Sequence, residues 1–314
     1  MQIILRRALS QKSIKIAIGA IVLSCFLPFG ESLHSGFWSA FSDGIHVPLF
    51  FVLVLLANLG LLPIWPRLAA RLLFLFGAAL IGAIAIEIIQ PFFGRSGSVV
   101  DIQNGLIGTT LALVSIIIWG QGGGTNIHRS AVAGFLTALL AGHMFAFYPA
   151  FEYWKLERLQ EERFPVLGGL GSELELLAWE PYGGAASSYN GRIELELGGG
   201  KRFSGAELTP PGLSWRRYDR LTINVTSPPE GITLWIRIDD DGICEEFDDR
   251  FTKEFKLKPG AEQIEIPLTE IENQPAKRRL NLDSIKRVLL YAAPGSTPES
   301  SKVKITVHSI SLAR

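Results

Sequence analysis

Three pairs of polar residues interrupt the apolar first half of the chain, each with the i, i+3 spacing that places two side chains on one helical face. The pairs are Asp43 with His46, Glu87 with Gln90, and Asp101 with Asn104. Such residues can transfer protons or form hydrogen bonds across a helical bundle. We expect His46 to act as a general acid or base, oriented by Asp43, with Glu87 as the second catalytic carboxylate.

Arg95 lies between the second and third pairs in the sequence. Its guanidinium would bind a phosphate or carboxylate, because its fork of donors matches these groups. Gln90, Asp101 and Asn104 would supply further binding contacts. Structural roles are the alternative, since Asp101 and Asp43 could each cap a helix. The set contains one histidine and no cysteine, so neither a metal site nor a cofactor is predicted.

Transmembrane helices are the elements that must position these pairs. A bilayer core of about 30 Å needs roughly 20 helical residues. Five apolar spans are predicted, at residues 14–30, 45–62, 72–92, 102–119 and 130–150. For the first span, a cleaved signal peptide is the alternative to an uncleaved anchor, because its start is basic.

The placement of lysine and arginine predicts the orientation of the spans, because basic residues favour cytoplasmic loops. The N-terminal arm and loops 63–71 and 121–129 are basic, whereas loops 31–44 and 91–101 contain only Arg95 between them. We therefore expect the chain to lie in the inner cell membrane with its N-terminus in the cytoplasm. All three polar pairs, and everything after the fifth span, would then be extracytoplasmic.

Charge also divides the chain in two. Residues 1–150 carry eight Lys/Arg and four Asp/Glu, a net charge of +4, whereas residues 151–314 carry 22 and 26, a net charge of −4. The overall balance of 30 basic and 30 acidic residues argues against a nucleic-acid partner. Two cysteines are too few for a disulfide scaffold.

From Glu173 onward, apolar residues recur with a period of two, which is typical of strands with one buried face. Strands are predicted at 192–197, 220–226, 233–238, 251–257, 263–268, 288–291 and 302–310. The fold class is therefore multi-domain: an α-helical transmembrane bundle of about five spans (1–150), followed by an all-β jelly-roll or β-sandwich domain (166–314). Good helix formers at 151–165 predict a helical stalk between them.

Aromatic and acidic residues of the β domain suggest two further sites. Trp179, Trp215 and Trp235 could stack on sugar rings, with core packing as the alternative. Trp215 is favoured for binding because its segment has the composition of a loop. The acidic run 239–249 could bind Ca²⁺, but its spacing does not match an EF-hand, and a solvated hairpin is favoured.

The polar residues of the first half resemble the VanZ-like membrane family over about residues 10–120. The matching motifs are Asp43-Gly-Ile-His46, Glu87-Ile-Ile-Gln90, Gly94-Arg95-Ser96, and Asp101-Ile-Gln-Asn104-Gly105 with Gly108. This resemblance implies a helical protein of the bacterial cell membrane, in a family whose founding member is associated with teicoplanin resistance. The fifth span and the large outer domain depart from the family pattern.

Residues 173–312 are similar to carbohydrate-binding, galactose-binding-like jelly rolls. The similar segments are 248–251, 255–257, 259–260, 264–268 and 282–285, which are mostly strand patterning. Together the two halves predict a cell-envelope protein that binds or modifies a lipid or glycan at the outer membrane face. Its partners would be membrane lipids and a lipid-linked or cell-wall glycan. The alternative is a non-catalytic, membrane-anchored protein for glycan binding or assembly.

Overall fold

Helices form the first half of the chain and strands most of the second in the computed structural model. It describes residues 10–24, 36–93, 97–120, 129–169, 171–198, 203–242, 247–293, 296 and 302–314. The chain divides into two compact units, residues 1–153 and residues 154–314. This order of elements confirms the predicted fold class, a helical bundle followed by an antiparallel β-sandwich.

Among the described residues, four helices are long and apolar enough to cross a membrane, by length and composition. They are α2 (Gly36–Leu61), α3 (Leu68–Ile89, followed by a 3-10 turn to Phe93), α4 (Val99–Gly120) and α5 (Arg129–Arg163). Helix α1 (Gln11–Ser24) covers the start of the first predicted span, and residues 25–30 of that span lie outside the described residues. Helix α5 runs unbroken through the predicted fifth span and most of the predicted stalk.

Two helix starts differ from the sequence prediction. Helix α2 begins at Gly36, nine residues before the predicted start at residue 45, so Asp43 lies inside the helix and does not cap it. Aromatic packing accompanies this extra length, since the Phe41 ring lies 5.4 Å from that of Phe147 in α5. Helix α4 begins at Val99, and Ser98 Oγ accepts the Val100 amide at its start, so Asp101 is not the cap.

Helices α2 and α4 pack closely because one of the facing residues has no side chain. A Cβ on Gly108 would lie 2.1 Å from the carbonyl oxygen of Val47. Small residues allow such an approach between helices in a membrane. The apolar core around this contact includes Phe50, Val54, Leu75, Ala79, Ala83, Ile86, Ala112 and Ile116. The polar residues near the starts of α2 and α4 are thereby brought opposite each other.

A buried arginine forms hydrogen bonds that link α3 to the end of α2 and to the turn between the two helices. Arg71 was assigned to a loop by sequence, but it lies in the first turn of α3 and is only 4% exposed. Its Nε donates a hydrogen bond to Asn58 Oδ1 at 2.7 Å, and its Nη1 donates to the carbonyl of Trp65 at 2.8 Å. These bonds hold the end of α2 against the start of α3.

The second unit is a sandwich of two antiparallel sheets. The six-stranded sheet has the order β3-β4-β11-β6-β9, with β1 also paired to β11, and the five-stranded sheet has the order β2-β5-β10-β7-β8. The strands are β1 (Val166–Gly168), β2 (Trp179–Tyr182), β3 (Ala185–Tyr189), β4 (Arg192–Gly198), β5 (Ser204–Leu208), β6 (Arg220–Ser227), β7 (Ile232–Asp240), β8 (Phe251–Leu257), β9 (Gly260–Pro267), β10 (Ile285–Ala292) and β11 (Lys302–Ala313). A short helix, α6 (Leu268–Asn273), joins β9 to β10.

The period of two in the sequence corresponds to burial between the sheets. In β7, Leu234, Ile236 and Ile238 have no exposed surface, whereas the residues between them are half-buried on the outer face. Each fully buried aliphatic side chain contributes roughly 1.5–3 kcal/mol through removal from water. The sequence missed β1, β2, β3 and β5, because these strands are only three to five residues long and show no clear apolar alternation.

We predict that Gly108→Ala destabilises the helical bundle by about 1–3 kcal/mol, the usual penalty of an overpacked interior. The new methyl group would meet the backbone of Val47, so α2 and α4 must move apart. The thermal unfolding midpoint of the detergent-purified protein measures this effect.

The matched control is Gly82→Ala in α3, where a Cβ would meet nothing within 4 Å. A helical Gly→Ala exchange in open space stabilises by up to about 1 kcal/mol. Equal midpoints for the two variants would contradict the proposed importance of the contact at Gly108.

Candidate functional site

Three titratable side chains from three helices meet inside the first unit. His46 of α2, Glu87 of α3 and Asp101 of α4 each have a potential ligand atom within 4.8 Å of those of the other two. We refer to these three residues as the His46 cluster. His46 Nδ1 lies 3.4 Å from Asp101 Oδ1, and both side chains are at most 2% exposed. The cluster thus places two carboxylates beside one imidazole in a buried position.

Neighbouring polar contacts hold the cluster in place. Glu87 Oε2 accepts a hydrogen bond of 2.7 Å from the backbone N–H of Ser98, just before α4. Asn104 Nδ2 donates a bond of 2.8 Å to the backbone carbonyl of Asp43 in α2. Gln90 is fully buried in the 3-10 turn that follows α3. These bonds join α3 and α2 to the start of α4, which limits the movement of the titratable groups.

The structure therefore brings together several of the predicted site residues. The structure places the carboxylate of Asp101 next to His46. The sequence predicts Asp43 as the partner of His46 and a binding role for Asp101. Asp43 contacts α4 through its backbone carbonyl, which accepts a hydrogen bond from Asn104. Arg95 lies outside the described residues. The i, i+3 spacing of Asp101 and Asn104 predicted that they share a helical face, and the structure shows that this face meets α2.

The chemistry open to the His46 cluster follows from burial and charge. A carboxylate at the centre of a bilayer costs about 2.5–3.5 kcal/mol or more, so such groups normally face a partner or a polar cavity. An imidazole next to two carboxylates can accept or donate a proton. The same three groups are also ordinary ligands of divalent metal ions.

A second candidate site lies on the outer face of the five-stranded sheet. Tyr182 of β2, Tyr291 of β10 and Trp235 of β7 lie in one cross-strand row, with Gly205 of β5 between the two tyrosines. We call these three rings the aromatic row. The Trp235 and Tyr291 rings are stacked, 6.3 Å apart at 27°. Tyr291 is buried, with 8% of its surface exposed, so the accessible ring surface of the row is that of Tyr182 and Trp235. A Cβ on Gly205 would lie 2.0 Å from the carbonyl oxygen of Leu290, so this position excludes a larger residue.

Charged side chains on neighbouring positions of the same sheet form a network. Asp239 bonds Arg237, at 2.7 Å between Oδ2 and Nη2, and also bonds Arg287. Arg287 lies 3.4 Å from Glu207. Burial raises the pKa of the Glu207 carboxyl above its ordinary value, against the opposing effect of Arg287. Because the charged groups constrain one another, they form a fixed set of donors and acceptors along the strands that carry the aromatic row.

The prediction for Trp215 as a binding residue is wrong. Its side chain has no exposed surface, so it cannot stack on a ligand. The Trp215 backbone N–H donates to the Leu282 carbonyl at 2.9 Å, which fixes the loop over the core. Trp179 is also buried, whereas Trp235 is half-buried on the outer face. Alternation with its apolar neighbours in β7 could have identified the outward direction of Trp235.

The acidic run 239–249 is largely neutralised by arginines where the structure describes it, residues 243–246 lying outside that part. Arg278 makes a bidentate pair with Asp240, at 2.5 and 2.6 Å, and also bonds Asp249 at 2.7 Å. Burial acts to raise the pKa of Asp240, but the hydrogen bonds from Arg278 and from the backbone of Asn281 outweigh it and lower that pKa.

The second unit is similar to solved carbohydrate-binding modules. A family 11 module from Clostridium thermocellum, in complex with a β-1,3-1,4-mixed-linked tetrasaccharide, is 18% identical over 47% of this chain and 94% of its own, with a TM-score of 0.37. A family 29 module from Piromyces equi is 11% identical over 44% and 81%, with a TM-score of 0.29. A module of family 28, specific for non-crystalline cellulose, is 11% identical over 48% and 93%, with a TM-score of 0.33.

At these values, the likeness carries no conclusion about what this chain binds. No protein-family model matches the chain, and no curated protein matches it. The candidate sites are therefore defined by the residues of this chain alone.

We predict that Arg278→Ala destabilises the β-sandwich by about 3 kcal/mol at neutral pH, because it leaves the buried Asp240 carboxylate without its bidentate partner. Since the folded-state pKa of Asp240 is lowered, its contribution to stability is present above its unfolded pKa near 4 and disappears as the pH falls through the folded value. The difference between wild type and variant should therefore shrink in acid. Hydrogen exchange of β7 and β10 at several pH values measures it.

Arg216→Ala is the matched control, because Arg216 also bonds two carboxylates, those of Asp283 and Glu272, but is 48% exposed. Surface pairs of this kind contribute little. A loss as large as that of Arg278→Ala, or one independent of pH, would show that burial of Asp240 is not the cause.

Proposed function

We propose that this chain is a membrane-anchored protein of the bacterial cell envelope that binds a glycan on the outer face of its five-stranded sheet. The observation that carries the proposal is the aromatic row beside a fixed network of charged side chains. A sugar ring offers an apolar face of C–H groups and a rim of hydroxyls. The accessible rings of Tyr182 and Trp235 suit the first. The partly exposed side chains of Arg237, Arg287 and Glu207 suit the second, and the buried Asp239 holds the two arginines in place.

The shape of the row supports binding of more than one sugar unit. Tyr182 is 44% exposed on β2, an edge strand of the sheet, whereas Trp235 lies two strands beyond Gly205. Neighbouring strands are about 4.8 Å apart. The row therefore extends across the strands rather than along one of them, which fits an extended chain of sugars. Carbohydrate is what the similar modules are described as binding, but the proposal depends on the residues of this chain.

The helices would anchor this domain in the cell membrane. Four of them have the length and composition of spans, and the first predicted span at residues 14–30, which α1 begins, would be a fifth. The basic residues of the loops favour a cytoplasmic N-terminus for these five spans. Residues after the last span would then be extracytoplasmic. In that location the glycan would be lipid-linked or part of the cell wall, and membrane lipids would surround the helices.

Modification of an envelope lipid or glycan is a second candidate function, favoured by the His46 cluster. An imidazole beside two buried carboxylates is a suitable acid–base group. Arg95 would bind a phosphate or carboxylate of the substrate, as its position between the polar pairs indicates. The relation to the VanZ-like family belongs to this proposal and depends on the order and spacing of these polar residues.

We predict that Tyr182→Ala weakens glycan binding by roughly 2- to 13-fold, because a stacked aromatic contact contributes about 0.5–1.5 kcal/mol. The full-length protein in detergent can be screened on a glycan array, and the affinity for the best glycan measured by calorimetry.

Tyr189→Ala is the control, because Tyr189 is an exposed tyrosine on an edge strand of the other sheet. Its affinity should equal that of the wild type. If both variants bind equally, or no glycan on the array binds the wild type, glycan recognition by the aromatic row is excluded.

We predict that His46→Ala and Glu87→Gln each abolish complementation of a deletion strain while the protein remains at normal abundance in the membrane. Both changes remove a titratable group from the buried cluster. His143→Ala is the control within the same bundle, since His143 Nδ1 contacts only the carbonyl of Leu139 in its own helix among the contacts described. Full complementation by His46→Ala and Glu87→Gln would refute a catalytic role.

A further inference from the structure

A groove lies at the start of α3, beside the turn that follows α2. Its volume is about 490 Å³, and it is lined by Trp65, Pro66, Arg67, Ala70, Leu73 and Phe74. We call these six residues the α3 groove. Arg67 is the charged member of the set, and the other five are predominantly apolar. A groove of this composition suits a ligand that has a charged end and an apolar body.

The charge of the α3 groove is positive, and no carboxylate lies nearby in the sequence. Residues 44–86 contain two arginines, Arg67 and Arg71, and no lysine, aspartate or glutamate. Arg67 is exposed, and it forms no hydrogen bond or ion pair within the part of the chain that the structure describes. Its guanidinium is therefore accessible to an anion from outside this segment, and its fork of donors matches a phosphate group.

Arg71 adds a second positive charge behind the groove. It follows Arg67 by four residues, a spacing that places both on the same side of a helix. Arg71 is only 4% exposed, and its hydrogen bonds within the described residues go to two neutral oxygens, Asn58 Oδ1 and the Trp65 carbonyl. Buried charges are normally paired, because removing an ion from water is costly. An anion bound at Arg67 would also lower the electrostatic cost of Arg71.

The apolar walls of the groove are held in place by the same buried arginine. Because Arg71 donates a hydrogen bond to the Trp65 carbonyl, it fixes the turn that carries this ring. The Trp65 and Phe74 rings pack edge to face, with centroids 4.7 Å apart at 89°. Leu73 is 75% exposed and Phe74 is 46% exposed, so the groove continues onto the apolar outer surface of α3. An acyl chain fits such a surface.

We propose that the α3 groove binds one anionic phospholipid, with the lipid phosphate at Arg67 and an acyl chain against Leu73 and Phe74. The inference rests on the proposed location of the helices in a membrane, and it adds a specific lipid to that location. In the predicted orientation, loop 63–71 is cytoplasmic. Anionic lipids give the cytoplasmic leaflet its negative surface potential, and basic pockets between helices on that side bind their headgroups.

The test uses full-length protein purified in a neutral detergent, so that the charge of a whole membrane surface does not contribute. The protein is titrated into fluorescently labelled phosphatidylglycerol, and phosphatidylcholine with the same chains and label is the neutral probe. We expect one phosphatidylglycerol per chain, with phosphatidylcholine binding about 5-fold more weakly. Arg67→Gln should weaken binding of phosphatidylglycerol by about 10-fold or more, because hydrogen bonds to charged groups are among the strongest.

Two matched controls separate the groove from general effects of charge and of apolar surface. Lys15→Gln removes another exposed positive charge, in α1 and outside the groove, and should leave binding as in the wild type. Leu73→Ala should weaken binding, whereas Ile81→Ala should not, since Ile81 is 70% exposed on the same helix but does not line the groove. Thermal midpoints in detergent should stay near that of the wild type, because all four changes are at exposed positions.

Three results would overturn the inference. Equal binding of the two lipids by the wild type would show that Arg67 does not select an anionic headgroup. Equal losses in Arg67→Gln and Lys15→Gln would show general attraction of charge without a site. Displacement of the labelled lipid by inorganic phosphate at the concentration of the lipid would show a site for a free anion.

Carbonate extraction of cell membranes tests the anchoring separately. Protein that carbonate releases would contradict the proposed membrane location, and the lipid site with it. Protein that stays in the membrane but gives one of the three results above would contradict the lipid site alone.

Discussion

The close contact of α2 and α4 at Gly108 determines the environment of the polar residues near the starts of these two helices. Because the Val47 carbonyl occupies the space of a side chain at that position, the two helices approach closely. His46 then reaches Asp101 across the interface, and Asn104 reaches the backbone of Asp43. Apolar side chains surround these groups, so water cannot satisfy them. Contacts with other groups of the protein must do so instead.

The β-sandwich handles polar groups differently. Its apolar residues fill the space between two sheets, and arginines neutralise its buried carboxylates. Asp239 is shared between Arg237 and Arg287, and Asp240 is held by Arg278. The ion pairs of Asp239 fix the positions of Arg237 and Arg287 on the outer face of the five-stranded sheet. The aromatic row lies on the same face. A rigid surface of this kind loses little conformational entropy when a ligand binds.

Predictions that depended on strand alternation were confirmed, whereas predictions of helix starts and of an exposed loop residue were corrected. Alternation identified β4, β6 and β7, whose inward residues are buried as expected. Helix starts were less accurate, because the apolar run of α2 is preceded by aromatic residues that extend it to Gly36. The loop composition around Trp215 suggested an exposed ring, but the loop folds back onto the core and buries it. Tyr182 and Tyr291 were missed, because nothing local relates two strands that are far apart in the chain.

The order and type of the amino acids were enough to predict the classes of element, their order and the polar residues that an apolar bundle must accommodate. Hydrophobic period and length carry that information, since they depend only on near neighbours in the chain. The tertiary structure decided which of those residues meet. It paired His46 with Asp101, added Glu87 to them, and aligned Tyr182, Tyr291 and Trp235 in a row that crosses four strands. Such juxtapositions depend on helix approach and strand register, which are set by packing between segments distant in sequence.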